Sequence, residues 1–261
     1  MAKLNNRLVL IKLGGSIITD KDKPYTAKPE VIRSLAKELK KSKTLFILAH
    51  GSGSFGHTSA TKYGGKKGYQ SKVGIAKVAR DAMEINRIVM DILVEEGLPA
   101  VSFRPMSMIL TKGGQIANSF FESIGVAFKQ GLIPVVYGDV IWDRKWKSTI
   151  LSGETILNAI GAYFKNKGFI IDKIIQVGET NGVYDNKKKT IPVITIKTYP
   201  NFKKFVFGLK VKDVTGGMQH KVEDALKMAV LGIKTLLING TIKNELSNAI
   251  LGKPTKGTKI Q

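Results

Sequence analysis

The chain has 261 residues, of which 43% are hydrophobic and none is cysteine. This length suffices for a sizeable core, and the lack of cysteine excludes disulfides, thiolate metal sites and cysteine nucleophiles. No apolar run approaches the roughly 20 residues of a membrane span, and residues 1–10 lack a signal-peptide pattern, so we expect a cytoplasmic protein without a membrane partner. The net charge of +22 is spread over lysines along the whole chain, which indicates a solvated basic surface and no nucleic-acid partner.

Strand-like and helix-like patterns alternate along the chain. Apolar runs predict strands at 7–13 and 44–49, and a proline suited to a first turn predicts a helix over 29–41. Apolar residues at near-helical spacing predict a long helix over 73–96. By the same criteria we expect further strands at 100–103, 132–137, 173–177 and 235–238, and further helices at 119–130, 154–165, 218–231 and 243–250.

This alternation predicts an α/β fold with a largely parallel sheet. The segment 183–212 has clusters of proline, lysine and β-branched residues, and we expect it to form hairpins or an excursion from the regular pattern. A functional division into halves near Gly168 fits the pattern, and one continuous sheet is able to span both halves.

Two strands end in glycine-rich segments, Lys12-Leu13-Gly14-Gly15-Ser16 and the segment 50–57, which reads His-Gly-Ser-Gly-Ser-Phe-Gly-His. Glycines at a strand exit let the backbone approach an anion and direct N–H groups at it. A helix that starts after such a loop adds partial positive charge. Two loops of this kind predict a site for more than one phosphate, as in a kinase that acts on a small phosphorylated or acidic substrate.

Two better-known phosphate motifs do not fit. Gly51, Gly53 and Gly56 satisfy the spacing GxGxxG, but a dinucleotide site would also need an acidic residue at the end of the next strand. The first acid in that region is Asp81, inside the predicted long helix. The Walker sequence GxxxxGK[ST] is absent, because Gly252-Lys253 is followed by proline.

Six motifs in order resemble the amino acid kinase superfamily over essentially the whole chain. They are the two glycine segments, Gly138-Asp139, Leu151-Ser152-Gly153-Glu154, Gly182-Val183-Tyr184-Asp185, and Asp213-Val214-Thr215-Gly216-Gly217-Met218 with Lys221. The ending Ser54-Phe55-Gly56-His57 is similar to the loop of isopentenyl phosphate kinases, with fosfomycin kinases as close relatives.

The resemblance implies a three-layer αβα sandwich formed by a single domain over residues 1–261. Its amino-terminal half, 1–167, would bind the phosphoryl acceptor, and its carboxy-terminal half, 168–261, would bind MgATP. The implied reaction converts isopentenyl phosphate and ATP to isopentenyl diphosphate and ADP, in a homodimeric enzyme. A kinase of another small phosphate or phosphonate, such as fosfomycin, is the alternative. A uridylate or amino acid kinase and a basic nucleic-acid-binding protein are less favoured rivals.

The resemblance also implies roles for individual residues. Lys12 matches a lysine that touches the transferred phosphoryl group, Lys21 matches a second lysine, and His57 closes its loop at an expected helix start and would bind the acceptor's phosphate. The acceptor-binding set is Gly51, Ser52, Gly53, Gly56, His57, Asp139 and Gly153. The nucleotide-binding set is Lys12, Gly14, Gly15, Ser16, Tyr184, Asp185, Gly216, Met218 and Lys221. The implied cofactors are ATP and Mg²⁺, with no metal-ligating side chain assigned.

Some of these residues have structural alternatives or depart from the family pattern. Asp139 is equally well explained as a turn-forming aspartate. Glu154 stands where family members commonly have an aspartate that orders the catalytic lysines, and residues 178–182 differ from the more usual Thr-Asp-x-Asp-Gly. Candidates for a pocket around the acceptor's apolar tail are Met83, Ile85, Asn86, Met90, Phe103 and Ile141.

Overall fold

A computed structural model describes residues 7–64, 68, 71–207 and 217–261, without the side chains of 204–207. Its strands are β1 (Arg7–Leu13), β2 (Phe46–His50), β3 (Ala100–Ser102), β4 (Ile109–Lys112), β5 (Gln115–Ser119), β6 (Ile133–Tyr137), β7 (Asp139–Asp143), β8 (Lys147–Leu151), β9 (Ile170–Gly178), β10 (Val193–Ile194), β11 (Thr235–Asn239) and β12 (Gly257–Ile260). Its helices are α1 (Gly15–Ile18), α2 (Pro29–Lys41), α3 (Gly53–Tyr63), α4 (Lys72–Glu95), α5 (Pro105–Met108), α6 (Glu122–Lys129), α7 (Gly153–Asn166), α8 (Tyr199–Phe207), α9 (Gly217–Val230) and α10 (Glu245–Leu251).

The central sheet has eight strands in the order β10-β12-β11-β9-β1-β2-β6-β3. Its neighbouring strands are parallel except for the pair β11 and β12. Strand β1 pairs with β2 on one side and with β9 on the other. Because β9 follows Gly168, one sheet includes strands from both halves of the chain. The carboxyl ends of β1, β2, β6 and β9 meet at one edge, where loops commonly form a binding site.

Both faces of this sheet are covered by helices. Alternate residues of β1 belong to two different apolar clusters, with Ile11 in one and Leu10 in the other. The first cluster packs β1 against α2, α4 and α10, and the second packs it against α6, α7 and α9. Full burial of each such aliphatic side chain contributes roughly 1.5–3 kcal/mol. The predicted αβα sandwich with a largely parallel sheet is confirmed.

A second sheet of four short strands, in the order β5-β4-β7-β8, was not predicted from the sequence. The helix expected at 119–130 begins only at Glu122, because Ser119 is the last residue of β5. The carboxylate of Asp143 accepts hydrogen bonds from four backbone N–H groups, of Gly113, Gly114, Lys145 and Trp146, which tie two turns together. Burial alone would raise the pKa of Asp143, but these donors outweigh it and hold the pKa below its usual range.

The segment 183–212 is more regular than expected. Tyr184 and Thr190 form an isolated bridge, as in a hairpin, and β10 joins the edge of the central sheet. Residues 199–207 form helix α8, which packs on α9 and which the sequence pattern did not predict. Residues 208–212 lie outside the described part of the chain. Among the described residues, no helix is both long and apolar enough to cross a membrane.

Candidate active site

The two glycine loops lie against each other at the ends of adjacent parallel strands. Leu13 is paired with His50, and the Gly51 N–H donates to the Leu13 carbonyl at 3.0 Å. A Cβ atom at Gly15 would lie 2.6 Å from the Gly53 nitrogen, and one at Gly51 would lie 2.7 Å from the Gly15 nitrogen. Such distances are shorter than real Cβ contacts. The two loops can approach each other this closely only because these positions are glycine. This requirement is separate from any contact with a ligand.

Several backbone donors remain open where the loops meet. The Gly14 N–H donates to the Val177 carbonyl at 2.8 Å, so it serves the fold and is not free for a ligand. In contrast, the N–H groups of Gly15, Ser16, Ser52 and Gly53 have no acceptor among the described residues. Two of these donors precede or begin α3, whose dipole adds positive potential at the same point. This arrangement suits an anion.

His57 is not at a helix start, as was expected, but in the second turn of α3. The helix begins four residues earlier, at Gly53, where a φ of +51° favours glycine. Gly56 lies in the first turn: its N–H donates to the Ser52 carbonyl at 3.3 Å, and a Cβ there would lie 2.1 Å from the Ser52 hydroxyl oxygen. The His57 side chain is exposed and has no hydrogen-bond partner among the described residues.

Lys12 and Glu154 form a buried ion pair at the centre of the site. The Lys12 Nζ lies 3.7 Å from Glu154 Oε2, and the two residues are 8% and 6% exposed. Gln176 Nε2 donates to the other carboxylate oxygen, Oε1, at 2.8 Å. Glu154 is in the first turn of α7, where the helix dipole favours a negative charge. The extra methylene of glutamate, relative to the aspartate of the family pattern, does not prevent contact with the lysine.

The start of α7 approaches the second glycine loop closely enough to require Gly153. A Cβ atom at Gly153 would lie 2.3 Å from the His50 carbonyl oxygen. Ser152 caps the helix by accepting from the Thr155 N–H at 3.1 Å. The absence of a side chain at Gly153 thus places Glu154 beside Lys12.

A cavity opens between the ends of β9 and β11 and helix α9. It is lined by Lys12, Gln176, Val177, Gly178, Thr180, Met218, Lys221, Leu237 and Ile238. The structure therefore brings together Lys12, Met218 and Lys221, three members of the expected nucleotide set. Gly216 lies outside the described residues.

The cavity also contains residues that the sequence analysis did not assign. Gln176 and Thr180 both line it. A signal for Gln176 was available in the sequence, because a single amide interrupts the otherwise apolar stretch from Ile174 to Val177. An isolated polar side chain in a buried strand usually has a specific partner, and here the partner is Glu154.

Tyr184 and Asp185, expected to bind the nucleotide, do not line this cavity. The Tyr184 hydroxyl accepts from the Asn181 N–H at 3.0 Å, which supports the loop after β9. The Asp185 carboxylate accepts from the N–H groups of Lys187 and Lys189, at 2.8 and 2.9 Å, and so stabilises the following turn. Lys21 is exposed in the loop between α1 and α2, with no ion pair to another described residue.

Residues beneath the second glycine loop hold it in place. His50 is buried, its Nδ1 lies 3.0 Å from the Gly51 carbonyl, and its Nε2 lies 3.1 Å from the amide of Asn86. Burial lowers the pKa of His50, which favours the neutral imidazole. The ring of Tyr137 stacks on that of His50 with centroids 5.6 Å apart.

The six candidates for an apolar tail pocket do not converge. Asn86 contacts His50, Met83 is 42% exposed, and Ile85 and Ile141 belong to core clusters on opposite faces of the sheet. A different apolar cluster lies between α3, α4 and β7. It consists of Val78, Ala79 and Val140, with Tyr63, Ile75 and Met106 packed against it.

Asp139 is buried at the junction of β7 and α5. Its Oδ1 accepts from the Val140 N–H at 2.8 Å and its Oδ2 from the Met106 N–H at 3.3 Å, while Arg104 Nε lies 3.7 Å away. Burial raises the pKa of Asp139 to about 6, against the lowering effect of these donors. One of these hydrogen bonds is to the following residue and the other is to a residue 33 positions earlier in the chain, so the carboxylate connects β7 to α5 and does not close a turn.

We expect Asp139 to make stability depend on pH. Because its folded-state pKa is raised, the protonated form stabilises the protein below about pH 4, and this stabilisation is lost as the pH rises through about 6. Relative to Asp139→Asn, the unfolding free energy of the wild type should fall by about 2–3 kcal/mol between about pH 4 and 7. Urea denaturation across this range measures the difference. Parallel curves for the two proteins would contradict it, and the exposed Asp91→Asn variant is the control.

Comparison with known proteins identifies the family. A model of the amino acid kinase family matches residues 7–239. The isopentenyl phosphate kinase of Methanothermobacter thermautotrophicus is 30% identical, with 97% of this chain and 98% of the relative covered. That of Methanocaldococcus jannaschii is 32% identical with the same coverage.

Solved structures agree with this result. An X-ray structure of isopentenyl phosphate kinase matches with a TM-score of 0.82 at 27% identity, over 97% of this chain and 100% of the other. A substrate complex of isopentenyl phosphate kinase matches with a TM-score of 0.77 at 26% identity, over 97% and 99% of the two chains. The resemblance inferred from the six motifs is thereby confirmed. The chain belongs to the amino acid kinase family and, within it, to the isopentenyl phosphate kinases.

Proposed function

We propose that this kinase transfers the γ-phosphoryl group of ATP to isopentenyl phosphate, giving isopentenyl diphosphate and ADP. The observation that carries the proposal is the meeting of two glycine loops beside Lys12, which also lines the cavity that contains Lys221. The family and the solved relatives supply the acceptor class. The chain's +22 net charge would also attract two anionic substrates, with an effect that weakens as salt increases.

The donor, ATP, would occupy the cavity formed by residues after Gly168 together with Lys12. All four of Lys12, Lys221, Met218 and Leu237 line this cavity. The two lysines would bind the ATP phosphates, and Met218 and Leu237 would make apolar contacts. No cluster of three acidic or histidine side chains suited to a metal occurs among the described residues. A Mg²⁺ ion would be held mainly by ATP phosphates and water, and it would neutralise charge on the transferred group.

The acceptor's phosphate would bind at the start of α3. The N–H groups of Ser52 and Gly53, which have no acceptor among the described residues, lie at this position, next to the first glycine loop. Side chains on a helix tilt toward its amino terminus, so the exposed His57 imidazole in the second turn can cover the first turn and reach the same phosphate. We assign residues 1–167 to acceptor binding and 168–261 to nucleotide binding on this basis.

The transfer itself needs positioning and charge stabilisation more than covalent help from the protein. An oxygen of the acceptor's phosphate attacks the γ-phosphorus, a new P–O bond forms, and the bond to the bridging oxygen of ADP breaks. Lys12 leads into the first glycine loop, and its ammonium group pairs with Glu154. Its ammonium group would stabilise charge on the phosphoryl group as it moves between the substrates.

The apolar cluster between α3, α4 and β7 is our candidate for contact with the isopentenyl tail. Val78, Ala79 and Val140 are buried in it, and α3 also carries His57. An apolar surface next to a phosphate site would favour an alkyl phosphate over a nucleotide or an amino acid.

The experiment that tests the function is a substrate panel. ADP release from MgATP is measured with isopentenyl phosphate, dimethylallyl phosphate, fosfomycin and UMP as acceptors. We expect kcat/KM for the two C5 phosphates to exceed that for the others by orders of magnitude. Preference for fosfomycin would establish the alternative, a phosphonate kinase. Failure of all four acceptors to be phosphorylated would reject the proposed reaction.

We further propose that the enzyme is a cytoplasmic homodimer. Strand β3 is the last strand at one edge of the central sheet, and its Val101 is 37% exposed. On the neighbouring helix α4, Met83 and Val94 are 42% and 56% exposed. An open sheet edge next to exposed apolar side chains suits contact with a second copy. Light scattering should then give twice the 28.5 kDa of one chain. Cytoplasmic location is supported by the need for ATP.

A further inference from the structure

Lys28 connects three segments around the nucleotide cavity. It is the residue before α2, and its Nζ lies 2.9 Å from Glu179 Oε1 and 3.2 Å from the carbonyl oxygen of Ser16. Ser16 belongs to the first glycine loop and Glu179 to the loop that follows β9. The same ammonium group therefore contacts a loop on each side of the site.

Glu179 lies at the rim of the cavity. Its two neighbours in the chain, Gly178 and Thr180, line the cavity together with Lys12 and Lys221. A carboxylate at this position would lower the affinity of the cavity for a polyanionic ligand, because charges of the same sign repel each other. Glu179 stands where the family pattern Thr-Asp-x-Asp-Gly has its first aspartate, so this chain keeps an acid at that position, on a side chain that is one methylene longer.

The backbone around Glu179 is held in place independently of Lys28. The Gly178 carbonyl accepts from the Gly240 N–H at 2.9 Å, and the Asn181 N–H donates to the Tyr184 hydroxyl at 3.0 Å. In addition, Asn239 Nδ2 donates to Asn181 Oδ1 at 3.0 Å. Loss of Lys28 would therefore leave the loop, and the acidic side chain that it carries, beside the cavity.

We propose that Lys28 is a positioning residue that neutralises Glu179 and holds its carboxylate toward Ser16, so that the acid does not repel the nucleotide phosphates. This inference rests on the proposed function only in that the cavity binds a nucleotide. The pair is 33% and 40% exposed, so it contributes little to stability. The pair instead affects nucleotide affinity. The nucleotide carries several negative charges, so its binding is sensitive to one uncompensated carboxylate nearby.

The test is a double-mutant cycle with MgADP as the probe, measured by calorimetry without any acceptor. Lys28→Met should weaken MgADP binding by about tenfold at low salt, an effect that shrinks at high salt. Glu179→Gln should bind no more weakly than the wild type. The double variant Lys28→Met/Glu179→Gln should recover to within about twofold of the wild type, because the repulsion is removed with the acid.

Two matched controls account for net charge and general surface effects. Lys23→Met removes a positive charge from a 73% exposed lysine in the same loop, and Glu30→Gln removes an exposed acid from the first turn of α2. Both should bind MgADP as the wild type does. Lys28→Arg should retain affinity, and thermal denaturation of each variant should give a Tm close to that of the wild type.

The outcomes separate this inference from the proposed function. If the double variant binds as weakly as Lys28→Met, or if Glu179→Gln is as weak as Lys28→Met, then Lys28 acts through direct binding or loop structure, and neutralisation of Glu179 is refuted. If the wild-type protein binds MgADP but does not phosphorylate isopentenyl phosphate, the proposed acceptor is wrong. The double-mutant cycle then still tests the role of Lys28, because it measures MgADP binding alone. A wild-type protein that binds no nucleotide would reject the proposed function and the role of Lys28 together.

Discussion

Replacing Lys12 by methionine is expected to lower kcat with MgATP and isopentenyl phosphate by about three orders of magnitude. Lys12 lies two residues before Gly14 on the strand that leads into the first glycine loop, and its side chain lines the nucleotide cavity. Removing one preorganised donor to developing charge typically costs about 100- to 1000-fold, and more where a phosphoryl group is transferred. Steady-state ADP release measures the loss.

A stability effect must be separated from this catalytic effect. Lys12→Met leaves Glu154 buried without its counter-charge, and breaking a buried pair in this way costs up to about 3–5 kcal/mol. The Gln176 amide still donates to the carboxylate, which limits the cost. The double variant Lys12→Met/Glu154→Gln removes both charges, so its Tm should return toward that of the wild type while its activity stays low. A double variant with wild-type Tm and activity within tenfold of normal would remove Lys12 from the catalytic machinery.

The His57→Ala variant should lose one to two orders of magnitude in kcat/KM for the acceptor, with an unchanged Tm. The side chain is exposed and has no partner among the described residues, so its removal leaves the fold intact. What is lost is a hydrogen bond to a phosphate dianion at the start of α3, which is among the stronger classes of hydrogen bond. KM for ATP should change little, because His57 does not line the nucleotide cavity.

His220→Ala is the matched control for His57→Ala. His220 is also an exposed histidine on a helix, and its ring nitrogen lies 4.0 Å from Glu223. Its removal should leave acceptor kinetics as they are. Equal losses in the two variants, or wild-type kinetics in His57→Ala, would show that His57 does not bind the acceptor. His57→Gln, which keeps an N–H donor at a similar distance from the backbone, should restore part of the activity.

The regular core of the fold was predictable because it follows local patterns. The strand at 7–13 and the helix at 29–41 were expected with the bounds that the structure has, and the long helix was expected within a residue of α4. Apolar strands buried on both faces and helices with one apolar face carry this information in their own sequence. The four-stranded sheet has no such clear pattern in its sequence, because its strands are short and β5 exposes most of its side chains.

The start of α3 shows a second limit of local patterns. Three glycines in six residues, 51–56, indicated a loop up to His57, since glycine is unfavourable in a helix. The structure instead begins the helix at Gly53. Here the close approach of Gly15 to Gly53 and the packing of Ser52 over Gly56 outweigh propensity. Both contacts depend on the position of another segment, so the sequence pattern alone placed the helix start four residues too late.

The sequence by itself determined the family, the parallel sheet and the two glycine loops at strand ends, because these are encoded in contiguous residues. Only the tertiary structure decided which side chains share the site. Gln176 meets Glu154 across 22 residues, and Lys28 meets Glu179 across 151. Such pairs form only after β1, β2 and β9 have been aligned by burial of their apolar side chains, and no local pattern records them. The physical reason is that the charges which govern this site are placed by strands from distant parts of the chain.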